Sequence, residues 1–345
     1  MSERNCRSRG LNTRLNLLIL SLIHSLRHTG MTRTLPPDLT TTRIAIIDSG
    51  VGGLSYLSAI RSTVPSAAVC YVADNEGFPY GEWSEEPLQS RVLEVVAAVR
   101  KRLRPNIVVI ACNTATVNAI AATRRRYPDL AVVGVVPAVK PALQPQTNSP
   151  APHGPHRPER VGVLATDGTV RAEYLNGLIA KFEGGRDVVR IGCGELVRLI
   201  ESDVLDINRD EVQTELARIG DKVKSLQISS VVLGCTHFVH VRTALERNLG
   251  PRIAVHDSCD GVARRVGEIA TRFESQRQVT GSKDTASGVE PNFDGVPDTP
   301  HNNATPLLFT TEQDTRWNDI ARAFGLSYRG TIGPVGTSEN PSCSA

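Results

Sequence analysis

Two cysteines stand out by what surrounds them. Cys112 closes the run "NIVVIAC" and is followed by Asn113 and Thr114; Cys235 closes "VVLGC" and is followed by Thr236 and His237. Apolar runs of this length read as buried strands, so each thiol stands at a strand's carboxyl end beside hydrogen-bonding side chains. In an apolar setting a cysteine is usually a small buried hydrophobe. At the start of a helix, however, unpaired N–H groups and the positive end of the dipole stabilise a thiolate. Such a thiol can serve as acid, base or nucleophile. The same N–H groups bind carboxylates. His237 suits a structural hydrogen bond, and equally a proton donor to its neighbouring thiol.

The elements that must hold these thiols follow from the hydrophobic pattern. "RIAIID" (43–48) predicts a strand, a glycine turn follows, and "LSYLSAIRSTV" predicts a helix. "AAVCYVAD" (67–74) is a second strand, "EEPLQSRVLEVVAAVRKRL" a helix, "NIVVIA" (106–111) a third strand, "TATVNAIAATRRRY" a helix and "AVVGVVP" a fourth strand. Apolar strands alternating with helices imply a parallel sheet covered on both faces. The chain then repeats itself: "RVGVLATDGTVRAEYLNGLI" echoes "RIAIIDSGVGGLSYLSAI", and "SSVVLGCTHFVHVRTALE" echoes "NIVVIACNTATVNAIAAT" with Cys235 where Cys112 sits. The expected fold is α/β, with two pseudo-symmetric doubly wound lobes, mainly parallel sheets and a ligand cleft between them, because ligands bind at the carboxyl edge of such sheets. Twin thiols with polar neighbours at both sites favour function over burial. The remaining cysteines, Cys6, Cys70, Cys193, Cys259 and Cys343, are expected to be core or terminal residues without a helix-edge setting.

The expected division is a first lobe over 43–136 completed by about 257–330, a second lobe over 137–256 with a Pro-rich flexible loop at 144–160, and a disordered tail at 331–345. Residues 1–42 read as an extension outside the catalytic core. Their arginines and "LNLLILSLIHSL" imitate a signal peptide without a cleavage site, the apolar run is too short to span a bilayer, and Met31 offers an alternative start. The 345 residues are 40% hydrophobic and 22% charged with a net charge of +3, which fits a soluble globular protein and argues against nucleic acid as main partner. Seven widely spaced cysteines suggest no disulfide framework and a reducing, cytoplasmic setting.

Two further stretches carry chemistry. "DSGVGG" (48–53) places Asp48 and Ser49 before three glycines that allow close backbone approach to a ligand; a tight strand-to-helix turn explains it as well. It matches neither the dinucleotide fingerprint nor a phosphate-binding loop with lysine. "FPYGEWS" turns rigidly through Tyr80 and Gly81, offering N–H groups and a phenol to an anion, or forming a plain surface loop. Zinc held by Cys112, Cys235, His237 and an acid, or a redox pair, lacks the supporting spacings.

With "DSGVGGL", "FPYG", "ACNTAT", "ATDGTV", "GCTHF" and Asp257-Ser258 in order, the chain resembles the glutamate racemases of the cofactor-independent aspartate/glutamate racemase superfamily, in their Gram-negative branch, over about 43–266, with a weaker echo in "LLFTTEQDTRWNDIARAFG". That resemblance implies interconversion of L- and D-glutamate for peptidoglycan without a cofactor; no pyridoxal-binding signature is apparent. It assigns Cys112 as the acid/base acting on D-glutamate and Cys235 as the one acting on L-glutamate. Asp48, His237 and Glu201 would support catalysis, and Asp48, Ser49, Tyr80, Gly81, Asn113, Thr114, Thr236 and His237 would contact substrate. "GCTHFVH" departs from the usual "GCTHFPL" at Val239 and His240, expected to alter packing only. The resemblance further implies UDP-N-acetylmuramoyl-L-alanine as activator, in the region of Arg124 and of Gly134, Val135, Val136, Pro137, Ala138, Val139 and Lys140, and DNA gyrase as an inhibited partner. A monomer or homodimer is expected, with aspartate or another acidic amino acid as the competing substrate.

Overall fold

The computed structural model describes residues 41–143, 160–182, 186–280 and 305–333, without the side chains of 277–280. The expectations for 1–40, for the loop at 144–159 and for the tail from 334 lie outside the described residues. Six strands form one all-parallel sheet: β1 (Arg43–Asp48), β2 (Ala68–Ala73), β3 (Ile107–Ile110), β4 (Ala131–Gly134), β9 (Leu307–Thr310) and β10 (Ser327–Thr331), in spatial order β10-β9-β2-β1-β3-β4. Four more, β5 (Arg160–Ala165), β6 (Asp187–Gly192), β7 (Ser230–Leu233) and β8 (Ala254–His256), form a second parallel sheet in order β6-β5-β7-β8. The protein is therefore an α/β molecule with two lobes. β10 runs through Thr331 and Ile332 is buried, so ordered structure continues past the boundary expected at 331.

Burial on both sheet faces explains why the strands are apolar rather than alternating. Along β1, Ile44 and Ile46 enter one core while Ala45 and Ile47 enter another. The first core is continuous with Leu164, Leu233 and Cys235 of the second lobe, so the lobes share apolar packing as well as a cleft. The helices follow the sequence. α1 (Leu54–Thr63) and α2 (Glu85–Leu103) cover the first sheet; α2 buries Leu88, Val92, Val95, Val96, Val99 and Leu103 at helical spacing. Glu85 and Glu86 in its first turn and Arg100, Lys101 and Arg102 in its last suit the dipole. α3 (Asn113–Arg126) follows β3, and the short α4 (Val139–Leu143) crosses towards the second sheet. There α5 (Asp167–Arg171), α6 (Glu173–Phe182), α7 (Gly194–Ser202), α8 (Asp210–Ser225) and α9 (Arg242–Leu249) surround the strands. α10 (Cys259–Thr280) returns to pack on α1, and α11 (Arg316–Ala323) links the last two strands. Among the described residues no helix is long and apolar enough to cross a membrane.

Candidate active site

The carboxyl ends of β1, β3 and β7 converge. β1 ends in Asp48, which is fully buried and accepts the Gly50 N–H at 2.9 Å and the Thr236 hydroxyl at 3.2 Å. Thr236 belongs to the other lobe, so this bond crosses the cleft. Burial pushes the Asp48 carboxyl up to about 6, against the charge of His237 and the Gly50 bond, which pull it down.

After β3 the backbone stays extended through Cys112 and turns helical at Asn113. The sulfur faces the first turn of α3, where the Ala115 and Thr114 amides favour its charged form. Burial and the negative charge of Asp48 nevertheless push its pKa up, and a charge on Cys235 adds to the effect. The two sulfurs, from different lobes, thus lie within electrostatic reach of each other. Asn113 is buried, and neither its amide nitrogen nor its amide oxygen has a partner. Orphaned buried groups are costly, so a ligand at this point would satisfy them. Thr114 Oγ1 bonds across the cleft to Thr166 at 3.1 Å and Thr169 at 3.0 Å.

The β7 side is built differently. Gly234 leaves no room for a Cβ, which would stand 2.8 Å from the Leu164 carbonyl. Cys235 then precedes a single 3-10 turn, Thr236–Val239, rather than a long helix. His237 Nδ1 lies 3.7 Å from the Cys235 sulfur, and His237 Nε2 lies 2.9 Å from Glu201 Oε2. Burial disfavours the imidazolium, but the hydrogen bonds and charges of Cys235 and Glu201 outweigh it and raise the His237 pKa well above its ordinary value. A doubly protonated ring donates from both nitrogens, towards sulfur and carboxylate. Glu201, on α7 and 4% exposed, also accepts the Val51 N–H at 2.8 Å. Hydrogen bonds to charged groups contribute about 2 kcal/mol each, and more is lost when a buried partner is orphaned.

Several expected residues have other employments. The Tyr80 phenol donates to Asp74 Oδ2 at 2.5 Å, and Arg91 clamps the same carboxylate. The phenol is committed there. What the turn offers the cleft is the backbone N–H of Tyr80 and Gly81, which, opening a one-turn helix, have no partner within it. Gly81 fits because Thr166 of the opposite lobe is close: a Cβ would lie 2.9 Å from it. The glycines after Asp48 also serve the opposite lobe, since a Cβ on Gly50 would meet Glu201 Oε2 at 2.1 Å and one on Gly52 would meet Thr236 Oγ1 at 2.4 Å. Ser49 is buried beside them.

Two cysteines thought to lack a helix edge in fact occupy one. Cys193 directly precedes α7 and Cys259 opens α10. A strand of only three residues, Ala254–His256, and one interrupted by an arginine, Asp187–Gly192, are hard to see in "AVHDSC" and "VVRIGCG". Cys193 turns into the core, its thiol on the Ile191 carbonyl and its pKa pushed up to about 12 by burial. His240 is also more than packing: its Nε2 lies 2.9 Å from the Val51 carbonyl and its Nδ1 3.4 Å from Ser55 Oγ, so it ties the glycine loop to the other lobe. Of the segment assigned to an activator, Val135, Pro137, Ala138 and Val139 are buried while Val136 and Gly134 are half-buried; Lys140 and Arg124 are exposed, and Arg124 donates to the Val132 carbonyl at 2.9 Å. Among the described residues no group of three or more His, Cys, Asp or Glu is arranged to hold a metal ion.

Comparison with known proteins agrees with this geometry. A glutamate racemase of Shewanella baltica is 36% identical over 70% of this chain and 85% of its own length. One from Sphingopyxis alaskensis is 36% identical over 68% of this chain and 84% of its own. In three dimensions the chain is similar to the Escherichia coli glutamate racemase solved with L-glutamate and the activator UDP-MurNAc-Ala, with a TM-score of 0.69, 29% identity, and coverage of 86% of this chain and all of that one. A Bacillus anthracis glutamate racemase isoform shares the fold at a TM-score of 0.64 and 24% identity. Residues 44–266 match the Asp/Glu/Hydantoin racemase family, and the chain belongs to it.

Proposed function

We propose that this protein is a glutamate racemase that interconverts L- and D-glutamate by proton transfer between Cα and two thiols. The observation that carries the reading is the pair of strand-end sulfurs, Cys112 and Cys235, contributed by opposite lobes to one buried site and within reach of each other's charge. One base alone returns a proton to the face it left; inversion needs a donor on the other face. With L-glutamate, the Cys235 thiolate takes the Cα proton and the C–H electron pair passes into the α-carboxylate. The Cys112 thiol then protonates the opposite face, leaving D-glutamate, a Cys235 thiol and a Cys112 thiolate; D-glutamate runs the sequence backwards. Burial and Asp48 raise the Cys112 pKa, which suits it to wait as the protonated donor. The His237 imidazolium is placed to hold a negative charge on Cys235.

The Cα proton is far less acidic than a thiol, so charge developing on the α-carboxylate must be stabilised by donors fixed in advance in a water-excluded site. The amides of Tyr80 and Gly81 and the unpartnered Asn113 amide serve that purpose. With Asp48, Asn113, Thr114, Thr236 and His237 all at most 3% exposed, the lobes must part for exchange of substrate and product. The product D-glutamate would serve peptidoglycan synthesis. UDP-N-acetylmuramoyl-L-alanine would act as activator near the exposed Arg124 and Lys140, and unchanged turnover on its addition would remove that part of the reading. The deciding experiment follows L-glutamate by circular dichroism with L-aspartate in parallel. Decay of the glutamate signal to zero with no change in aspartate supports the assignment; racemisation of aspartate alone, or of neither, refutes it.

A further inference from the structure

Glu201 owes its place to a residue far along the chain. Its Oε2 is occupied by His237 and the Val51 N–H. Its Oε1 accepts Arg316 Nη2 at 2.7 Å, and its backbone carbonyl accepts Nη1 of the same guanidinium at 2.6 Å. Arg316 opens α11, between the last two strands of the six-stranded sheet, whereas Glu201 sits on α7 of the other lobe. The guanidinium is itself fixed, since Asp314 accepts its Nε at 2.7 Å and its backbone N–H at 2.9 Å. A rigid fork with two parallel bonds fixes direction as well as distance. The result is a continuous chain Asp314–Arg316–Glu201–His237–Cys235 that ends on one of the two sulfurs. No bond in it touches Cys112. Arg316 also lies beyond the family match, which stops at residue 266.

We infer that Arg316 is a positioning residue for the Cys235 half of the reaction: through Glu201 it aims the His237 ring at the Cys235 sulfur and leaves the Cys112 proton transfer untouched. The inference rests on the proposed racemase activity. A merely structural bond between lobes would disturb both thiols alike.

The two cases differ in a measurable way. Because enantiomers have an equilibrium constant of one, kcat/KM must fall equally in both directions for any variant, so rates alone cannot tell the thiols apart. Primary isotope effects can. In Arg316→Gln, kcat/KM should fall about tenfold, the scale of a modest misalignment of a proton-transfer group. The deuterium effect on kcat/KM should rise with [2-2H]-L-glutamate, whose proton goes to Cys235, because that transfer becomes more rate-limiting. It should shrink towards one with [2-2H]-D-glutamate. Arg316→Lys, which keeps charge but not the fork, should recover about a third of the lost rate. If Arg316→Gln does not fold, as judged by far-ultraviolet circular dichroism, Asp314→Asn loosens the same fork and carries the same test with a smaller rate loss. Unchanged rates, or slowing with isotope effects that stay as in the wild type, overturn the inference while the racemase reading stands. Failure of the wild-type protein to racemise glutamate overturns the racemase reading itself.

Discussion

The two cysteine sites descend from one pattern, strand then thiol then polar pair, yet the chain equips them by different physics. On the Cys112 side the means are backbone: a helix of fourteen residues, Asn113–Arg126, presents its first amides to the sulfur. The charged side chain acting most on that sulfur is Asp48, which opposes a second negative charge. On the Cys235 side a four-residue 3-10 turn replaces the helix, and an ordered ionic chain through His237 and Glu201 supplies what the missing helix cannot. Symmetry of fold therefore does not entail symmetry of protonation. A racemase gains from the difference, since its two thiols must rest in opposite states at the start of each turnover.

The largest effect should come from removing either sulfur. Cys112→Ala and Cys235→Ala are each expected to lower racemisation by at least about a thousandfold, as loss of a general acid/base does, measured by circular dichroism of glutamate. The comparison sharpens in heavy water. Cys112→Ala keeps Cys235 and should exchange the Cα proton of L-glutamate without inverting it, and Cys235→Ala should do the same only for D-glutamate, both read by proton NMR. Exchange of the opposite enantiomer in each variant would reverse the assignment of faces; near-normal racemisation in either would end the two-base scheme.

Next are the charged neighbours. His237→Asn and Asp48→Asn should each cost about a hundredfold in kcat. Asp48 also sets a pH dependence. Its folded-state pKa of about 6 lies above the ordinary value of 3.8, so the folded state binds the proton more readily than the unfolded one. Its contribution to stability is therefore fully present below about pH 4 and is lost as pH rises through 6, a span worth at most about 3 kcal/mol. Asp48→Asn should accordingly be more stable than wild type at pH 7 and no more stable at pH 4, by urea denaturation. His240, pushed down to about 4 by burial, works in the opposite direction but is common to both proteins and cancels from their difference. Activity should fall below pH 6 in the wild type; an acidic limb that persists unchanged in Asp48→Asn would assign it to another group.

Much of this contrast could be read from the amino acids. Strands β1 to β5 and β7 could be read because parallel strands buried on both faces need unbroken apolar runs, whereas β6, β8, β9 and β10, short or interrupted by polar residues, could not; the duplicated patterns around Cys112 and Cys235 brought out the two lobes. Contacts between lobes were less legible. That Gly50 and Gly52 make room for Glu201 and Thr236 cannot be seen in "DSGVGG", because the same glycines would suit an anion equally well. The loss of the Tyr80 phenol to Asp74 depends on Arg91, one helix away. Arg316 opens an amphipathic helix whose spacing of Trp317, Ile320 and Ala321 marks the helix but not the partner of its arginine, and only the return of the chain to the first sheet carries it to Glu201. Local pattern encodes strands and helices; which buried carboxylate meets which distant cation is decided by topology.

A smaller effect tests the seam between the lobes. Gly168 continues the contact that Thr166 makes with the Gly81 turn, and a Cβ there would lie 2.7 Å from the Gly81 carbonyl oxygen. Backbone on both sides gives little room to yield. Gly168→Ala should hold the cleft slightly open, misplacing the Tyr80 and Gly81 amides and lowering kcat/KM about tenfold, with both thiols intact to alkylation after unfolding. Since the seam serves both half-reactions, isotope effects with the two enantiomers should stay in their wild-type ratio, unlike those of Arg316→Gln.

The smallest effect is expected at the mouth of the cleft. Arg198 of α7 pairs with Glu82 of the opposite lobe, beside a cavity of about 260 Å³ lined by Pro79, Gly81, Thr166 and Arg171 among others. Both side chains are more than half exposed, and exposed pairs contribute only about 0.2–1 kcal/mol because water and salt screen them. Arg198→Ala should therefore change KM by less than about fivefold and leave kcat unaltered, with the difference from wild type fading as sodium chloride is raised to 0.5 M. A loss of kcat that salt does not reproduce would mean that Arg198 reaches the substrate. The cleft would then present a cation at its rim as well as amides in its depth, and the division between a backbone-equipped and a side-chain-equipped thiol would have to be redrawn.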